Sequence, residues 1–107
     1  MKRGDIVLVK YPFTDLSTEK LRPAFVIIPE DEEGDLLLAF ITSIAIKKNP
    51  FDIPISKNGT GLHKDSILRL KKIMTIHKSL IVGKIGGVSK EQLKIIEENL
   101  SKMLGSK

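Results

Sequence analysis

The apolar residues of this chain come in short runs that are broken repeatedly by proline, glycine and acidic turns, and this interruption is the feature that most limits its fold. The longest unbroken run, Leu36 to Ile41, is only six residues long. That length suits a buried β-strand and falls far short of the roughly 20 residues that span a bilayer. The sequence therefore predicts a mainly β protein with no membrane partner.

Six segments have the β-branched, turn-bounded character of strands, the last of them a short strand or a turn. They are Ile6 to Val9, Pro23 to Ile28, Leu36 to Ser43, Phe51 to Ile55, Ser66 to Leu70 with Lys72 to Ile76, and Leu80 to Ile85. Pro23 would open its strand, where a missing N–H does least harm. The third segment is apolar on both alternating faces, which indicates a central strand, whereas Pro54 marks the fourth as an edge strand. The fifth is either two short strands or one bent strand.

A single helix is predicted after the strands. Ser89 and Gln92 have the spacing of a capping box, in which the serine accepts from the backbone of the third residue and the glutamine reaches back to the cap. Gly105 is a natural stop. An apolar stripe follows the cap and consists of Leu93, Ile96, Leu100 and Met103. We expect one domain, residues 1–107, built as a small, strongly bent antiparallel sheet or barrel with a C-terminal α-helix.

Composition excludes several classes of site. The chain has no cysteine, which removes thiolate nucleophiles, cysteine-based zinc sites and disulfides and fits the reducing cytoplasm, where we expect the protein to reside. Its formal net charge of +5 is uneven: residues 1–45 hold five basic and eight acidic groups, and residues 46–107 hold thirteen and five. If the later segments share one face, they create a field suited to a polyanion, although a solvated lysine-rich surface has the same composition.

No cofactor is expected. The glycines match neither the dinucleotide-binding nor the P-loop spacing, which argues against a nucleotide. His63 and His77 lie far apart and lack metal-ligand spacing, so no metal site is expected either. Two histidines could serve as acid and base on a phosphodiester, but such residues are more often surface or turn positions.

Arg22 and Thr42 form a more informative pair, since the first ends a long polar loop and the second ends the buried third run. If the second and third predicted strands pair through the acidic turn of residues 30–35, the two side chains arrive at the same edge. A guanidinium there offers bidentate donors to phosphoryl oxygens, and a hydroxyl adds a neutral hydrogen bond. An ion pair of Arg22 with Asp15 or Glu19, and a threonine suited to a strand, would explain the same residues structurally.

Several segments together resemble one known family, in order and over nearly the whole chain. They are Gly4 to Val9 with Tyr11 to Ser17, Lys20 to Ile27, Phe40 to Ser43, Gly61 to Ser66, and Thr75 to Leu80 with Lys84 to Gly86. Each motif alone is weak evidence, but five in register are specific. The chain is similar to the PemK/MazF toxin family.

This resemblance implies a toxin of a type II toxin-antitoxin pair, folded as an SH3-like barrel of the CcdB/PemK/MazF kind, usually a homodimer and bound by a cognate antitoxin. It also implies a metal-independent, sequence-selective endoribonuclease that cuts single-stranded RNA and leaves a cyclic phosphate and a free 5′-hydroxyl. The family's catalytic residues fall on Arg22 and Thr42. Its RNA-binding positions fall on Ser17, Lys20, Ser43, Lys71, Lys72 and Met74.

Three functions stay open at this point. The first is the nuclease, with Arg22 stabilising the phosphorane and taking part in proton transfer. The second is a non-catalytic barrel that binds an antitoxin or a topoisomerase-type protein target, as relatives with this fold do. The third is a basic RNA-binding module, for which Tyr11 and four phenylalanines offer little base stacking.

Overall fold

The computed structural model describes residues 1–11, 20–43 and 48–105, with Tyr11 described in its backbone only. Within these residues the chain forms six β-strands, one turn of 3-10 helix and one α-helix. They are β1 (Asp5–Tyr11), β2 (Lys20–Ile28), β3 (Asp35–Thr42), β4 (Asp52–Ile55), β5 (Ser66–His77), the 3-10 turn (Lys78–Leu80), β6 (Ile81–Gly87) and α1 (Lys90–Met103). Every segment predicted to be a strand or a helix therefore forms one.

The six strands make one antiparallel sheet in the order β4-β5-β3-β2-β1-β6. The mainly β class, the central position of β3 and the C-terminal helix are thus confirmed. The sheet stays open, however, and does not close into the predicted barrel by hydrogen bonding. β4 has only four residues and includes Pro54, which has no N–H to donate, so its outer edge is a poor partner for β6.

β2 begins earlier than the sequence predicts. It starts at Lys20 because the residues from Lys20 to Pro23 pair with β1, which places Pro23 within the strand rather than at its first position. On its other side, β2 pairs with β3 only from Ala24 opposite Phe40 onward, and Pro23 lies just outside that ladder. The proline therefore still occupies a place where a missing donor costs little.

β5 is one long bent strand, the second of the two forms that the sequence allows. Its register with β3 pairs Ile73 with Ala39 but Leu68 with Ile41, so a step of two residues on β3 corresponds to five on β5. Extra residues on one strand bend it and increase its twist. The half of β5 before this bend also pairs with β4 on its other side.

Two apolar clusters pack on opposite faces of the sheet. Neighbouring residues of a strand alternate between them, as Phe25 and Val26 do on β2, or Ala39 and Leu38 on β3. The larger cluster is covered by the predicted stripe of α1, namely Ile96, Leu93, Leu100 and Met103. Ile96 is fully buried, and burial of such a side chain contributes about 1.5 to 3 kcal/mol; the other three are partly buried and contribute less. Docking on the sheet, more than intrinsic propensity, therefore stabilises this helix.

α1 begins and ends as predicted. Ser89 is its N-cap, and the Gln92 N–H donates to Ser89 Oγ at 3.1 Å. The Gln92 side chain differs from the capping-box expectation, because its Nε2 donates to the Pro54 carbonyl at 3.5 Å and so ties α1 to the edge strand β4. Beyond Met103 the chain turns at Gly105, with φ of 87°. None of the helices in the described ranges is both long and apolar enough to cross a membrane.

Asp5 is a buried carboxylate at the start of β1. Its Oδ2 accepts from the Lys2 N–H at 2.9 Å, and its Oδ1 lies 3.2 Å from the Nζ of Lys84 on β6. Burial disfavours the charged form, but the hydrogen bonds from Lys2 and Lys84 and the Lys84 charge outweigh it, so the pKa of Asp5 is lowered. The carboxylate thus fastens β1 to the edge strand β6.

We expect Asp5→Asn to destabilise the fold by about 1 kcal/mol at neutral pH, because the amide keeps the shape but loses the charge-assisted bonds. The pKa of Asp5 is lower in the folded state than in the unfolded state, where it is about 4. The carboxylate therefore contributes its full stabilisation above the unfolded-state pKa and loses it as the pH falls through the folded-state pKa. Urea unfolding of both proteins at pH 7 and at pH 3 measures the effect, and the difference should shrink at the lower pH. Glu32→Gln, in the exposed turn, is the control and should leave stability unchanged.

Candidate functional site

A cleft of about 510 Å³ opens where β2 begins and β3 ends. Part of its lining comes from these strand ends and from β1 and β6, and part from the loop of residues 56–65 that joins β4 to β5. The described residues that line it are Leu8, Lys20, Leu21, Arg22, Pro23, Ile41, Thr42, Ser43, Gly61, Leu62, His63, Lys64, Ser66 and Ile85. The cleft therefore combines apolar side chains with a few polar ones, as pockets for organic ligands do.

Arg22 and Thr42, the residues predicted to be catalytic, line this same cleft. β2 and β3 pair with Ala24 opposite Phe40, and continuing this register by two residues places Arg22 opposite Thr42. Ala24 and Phe40 both pack in the smaller apolar cluster, and side chains two residues apart on a strand share a face. Arg22 and Thr42 thus come from adjacent strand ends on one face; both are partly buried, and Nε of Arg22 is shielded from solvent.

The cleft is positively charged. Lys20, Arg22 and Lys64 line it, and its described lining contains no acidic residue. The carboxylate of Asp65, which follows Lys64, accepts from the Lys57 N–H at 2.9 Å. Several cations without a carboxylate favour an anion such as a phosphodiester. Over the described ranges, no three histidine, aspartate or glutamate side chains form a group that could hold a metal ion.

The loop of residues 56–65 is held in shape by its own hydrogen bonds. Thr60 is buried, and its Oγ1 donates to the Ser56 carbonyl at 2.8 Å. Ser66 Oγ donates to the Lys64 carbonyl at 2.8 Å, at the point where the loop enters β5. A loop whose polar groups are satisfied in this way presents its cleft residues in a defined position.

Two glycines let this loop pack directly on β6. Gly61 has φ of 84°, in the region that favours glycine, and a Cβ there would collide with the Ile85 carbonyl. A Cβ at Gly86 would likewise collide with the Thr60 carbonyl. The backbone of the loop therefore contacts the backbone of β6 with no side chain between them, which brings the loop and the β6 edge to the same cleft.

The residues predicted to bind RNA are divided by the structure. Lys20 and Ser43 line the cleft with Arg22 and Thr42. Exposed positions on β5, outside the cleft, hold Lys71, Lys72 and Met74. Ser17 lies outside the described residues. A ligand in the cleft would have to extend along the molecule to reach β5.

The two histidines have different surroundings. His63 lies in the cleft, whereas His77 caps the 3-10 turn: its Nδ1 accepts from the Ser79 N–H at 3.2 Å, and its Nε2 lies 3.1 Å from the Glu33 carbonyl. They are therefore not an acid–base pair at one site. From the sequence alone, His63 is only one of two histidines that could act as acid or base, and Lys64 is not singled out, although both belong to the segment from Gly61 to Ser66 that carries part of the family resemblance.

The fold is that of known toxin structures. The MazE-MazF structure (Form-III) from Deinococcus radiodurans superposes with a TM-score of 0.79 and 18% identity, over 100% of this chain and 98% of that chain. The Mycobacterium tuberculosis toxin MazF-mt6 gives 0.77 and 17%, over 96% and 98%. An endoribonuclease in complex with its cognate antitoxin, from mycobacterial species, gives 0.77 and 15%, over 98% and 95%. At such identities the likeness establishes a MazF-like fold.

The family follows from the sequence itself. Residues 2–104 match the family described as PemK-like, MazF-like toxin of type II toxin-antitoxin system. Because this match spans nearly the entire chain, the protein belongs to that family, as its motifs predict. Comparison with curated protein sequences gives no significant match.

Gly86→Ala tests the contact between the loop and β6. The added methyl would overlap the Thr60 carbonyl, and such overpacking typically costs about 1 to 3 kcal/mol. We therefore expect a lower melting temperature together with faster hydrogen exchange in residues 56–65. Gly83→Ala is a matched control on the same strand, since its Cβ would meet nothing within 4 Å. Equal stability of the two variants would show that the glycine contact does not hold the loop.

Proposed function

We propose that this toxin is a metal-independent endoribonuclease that cuts single-stranded RNA in the cleft containing Arg22 and Thr42. The observation that carries the proposal is that these two residues, from neighbouring strand ends, line one positively charged cleft. Membership of the MazF-like toxin family adds support, and so does the fold shared with a mycobacterial endoribonuclease.

Arg22 and Thr42 suit a reaction in which charge accumulates on a phosphate. When the 2′-oxygen attacks the phosphorus, negative charge develops on the non-bridging oxygens, and a preorganised donor stabilises it. The guanidinium of Arg22 offers planar, bidentate donors, and the hydroxyl of Thr42 adds a neutral one. Departure of the 5′-oxygen then leaves a 2′,3′-cyclic phosphate and a free 5′-hydroxyl.

The remaining cleft residues would bind the RNA backbone. Lys20 and Ser43 are predicted from the sequence to do so, and their place in the cleft supports that role. Lys64 joins them as a cation of the loop. On β5, Lys71, Lys72 and Met74 would contact bases that extend beyond the cleft, and Ser17 remains a prediction from the resemblance.

A cognate antitoxin is the proposed protein partner. Two of the structures that share the fold are complexes, one of MazE with MazF and one of an endoribonuclease with its cognate antitoxin. By analogy, an antitoxin would inhibit this toxin by covering the cleft, and an acidic segment would be complementary to its charge. A homodimer and a cytoplasmic location are further parts of the proposal, and both rest on the family.

Arg22→Ala is expected to slow RNA cleavage by about 10² to 10³-fold, because removal of one preorganised donor to a developing charge costs this much. Arg22→Lys keeps the charge but lacks the planar fork and should restore only part of the rate. Thr42→Val should lose about tenfold, whereas Thr42→Ser, which keeps the hydroxyl, should cleave nearly normally. The rates are measured on a fluorogenic single-stranded RNA in EDTA, with melting temperatures as a check on folding.

Arg3→Ala is the control for the loss of an arginine. Arg3 forms an exposed ion pair with Glu97 at 2.9 Å and does not line the cleft, so its removal should leave the cleavage rate unchanged. Intact RNA in the presence of the folded wild-type protein would overturn the nuclease proposal. The protein would then be a non-catalytic binder of an antitoxin or another protein target.

A further inference from the structure

The proposed reaction needs a group that accepts the proton of the 2′-hydroxyl, and Arg22 and Thr42 do not provide one. A guanidinium keeps its proton at neutral pH, and a threonine hydroxyl is a weak base. The cleft therefore holds stabilisers of the transition state, and the general base has to come from another side chain that lines it.

Among the described residues of the cleft, only one side chain has a ring nitrogen that can accept a proton. Lys20 and Lys64 carry ammonium groups, which are donors, and the Oγ of Ser66 already donates to the Lys64 carbonyl. Ser43 has a hydroxyl, which is also a poor base. The imidazole of His63 is the exception, because a neutral imidazole has one nitrogen whose lone pair accepts a proton.

We propose that His63 is the general base of RNA cleavage by this toxin, an inference that rests on the proposed nuclease function. The neutral imidazole takes the proton from the 2′-hydroxyl while the bond between the 2′-oxygen and phosphorus forms. The bond from phosphorus to the 5′-oxygen breaks, and the leaving oxygen takes a proton from water. The imidazolium then returns its proton to solvent, so the cyclic phosphate and the 5′-hydroxyl form with no net change in protons.

The position of His63 supports this role. It lies on the loop of residues 56–65, which is braced by its own hydrogen bonds and packed through Gly61 against β6. His63 is exposed, and within the described ranges its side chain makes no hydrogen bond, so its ring nitrogens are available to a substrate. His77 contrasts with it, because its Nδ1 caps the 3-10 turn and its Nε2 lies 3.1 Å from the Glu33 carbonyl.

The charges of the cleft favour the nucleophile that His63 would activate. Lys20 and Arg22 of β2 and Lys64 of the loop line the same cleft, and the Asp65 carboxylate accepts from the Lys57 N–H. Nearby cations stabilise the negative charge that develops on the 2′-oxygen as it loses its proton. The same lining thus supports transfer of the proton from the nucleophile to the base.

His63→Ala and His63→Gln test the assignment in the full-length toxin. At pH 8 we expect kcat to fall about 100-fold in both, with little change in KM, because the change removes proton transfer and leaves the phosphate-binding cations in place. The wild-type rate should rise with pH, because a general base acts in its unprotonated form, and the variants should lose this rising limb of the pH profile. Added imidazole should restore part of the rate to His63→Ala, which a purely structural loss would not allow.

The second histidine provides a matched control. The chain contains only two histidines, so His77→Gln should keep the pH limb if His63 causes it. A substrate with a 5′-bridging sulfur, whose leaving group needs no proton, should leave the His63→Ala defect at full size. Disappearance of the defect on that substrate would make His63 an acid and overturn the proposal. Folded His63 variants that keep the rising limb of the pH profile, or that only raise KM, would also overturn the proposal. Cleavage of RNA by the wild-type protein in EDTA shows that the nuclease proposal holds, so these outcomes count against His63 alone.

Discussion

The cleft depends on one close contact between backbones, that of the loop of residues 56–65 with β6 at Gly61 and Gly86. The sheet is open, and its edge strands β4 and β6 lie at opposite ends of the strand order. The loop that leaves β4 crosses this gap and packs on β6, so the molecule is closed at this end by a loop rather than by a hydrogen-bonded ladder. Without that contact, the ends of β2 and β3 would face solvent with nothing across from them.

The features that could be predicted from the sequence are those that depend on local pattern. Arg22 and Thr42 meet because an antiparallel hairpin pairs residues on either side of its turn in a fixed register, and the turn at residues 30–35 is marked by its acidic residues and Gly34. The helix was predictable for the same reason, since its cap and its stripe are contiguous in the chain. Both predictions needed only short-range rules.

The features that could not be predicted depend on contacts distant in sequence. Gly61 packs on the Ile85 carbonyl and Gly86 on the Thr60 carbonyl, although the two glycines are 25 residues apart in the chain. No repeating pattern in the sequence links two positions so far apart, so the loop could not be assigned to the cleft. His63 therefore remained one of two histidines with nothing to distinguish them. The early start of β2 could not be predicted for the same reason. Lys20 is in a strand because it pairs with Tyr11 of β1, although the polar residues around Lys20 do not favour a strand.

The uneven charge of the chain acquires a spatial meaning in this fold. The acidic turn of residues 30–35 lies at the far end of β2 and β3 from Arg22 and Thr42, about 20 Å away at roughly 3.3 Å per residue. This distance exceeds the Debye length of about 8 Å at physiological salt, so the turn does not neutralise the cleft. The acidic turn and the positively charged cleft thus lie at opposite ends of β2 and β3.

The same geometry relates the cleft to the predicted base-reading residues. Met74 on β5 pairs with Leu38 on β3, and Leu38 belongs to the smaller apolar cluster, on the face that Arg22 and Thr42 also share. An RNA strand leaving the cleft over this face would therefore reach Met74 by crossing β3, without passing around an edge of the sheet. β5 bends at the change of register just before Met74. A different bend there would alter which bases Met74 could contact and would not move a phosphate bound at Arg22. The proposed chemistry at Arg22 and the proposed base contacts of Met74 would then reside on separate strands of one surface.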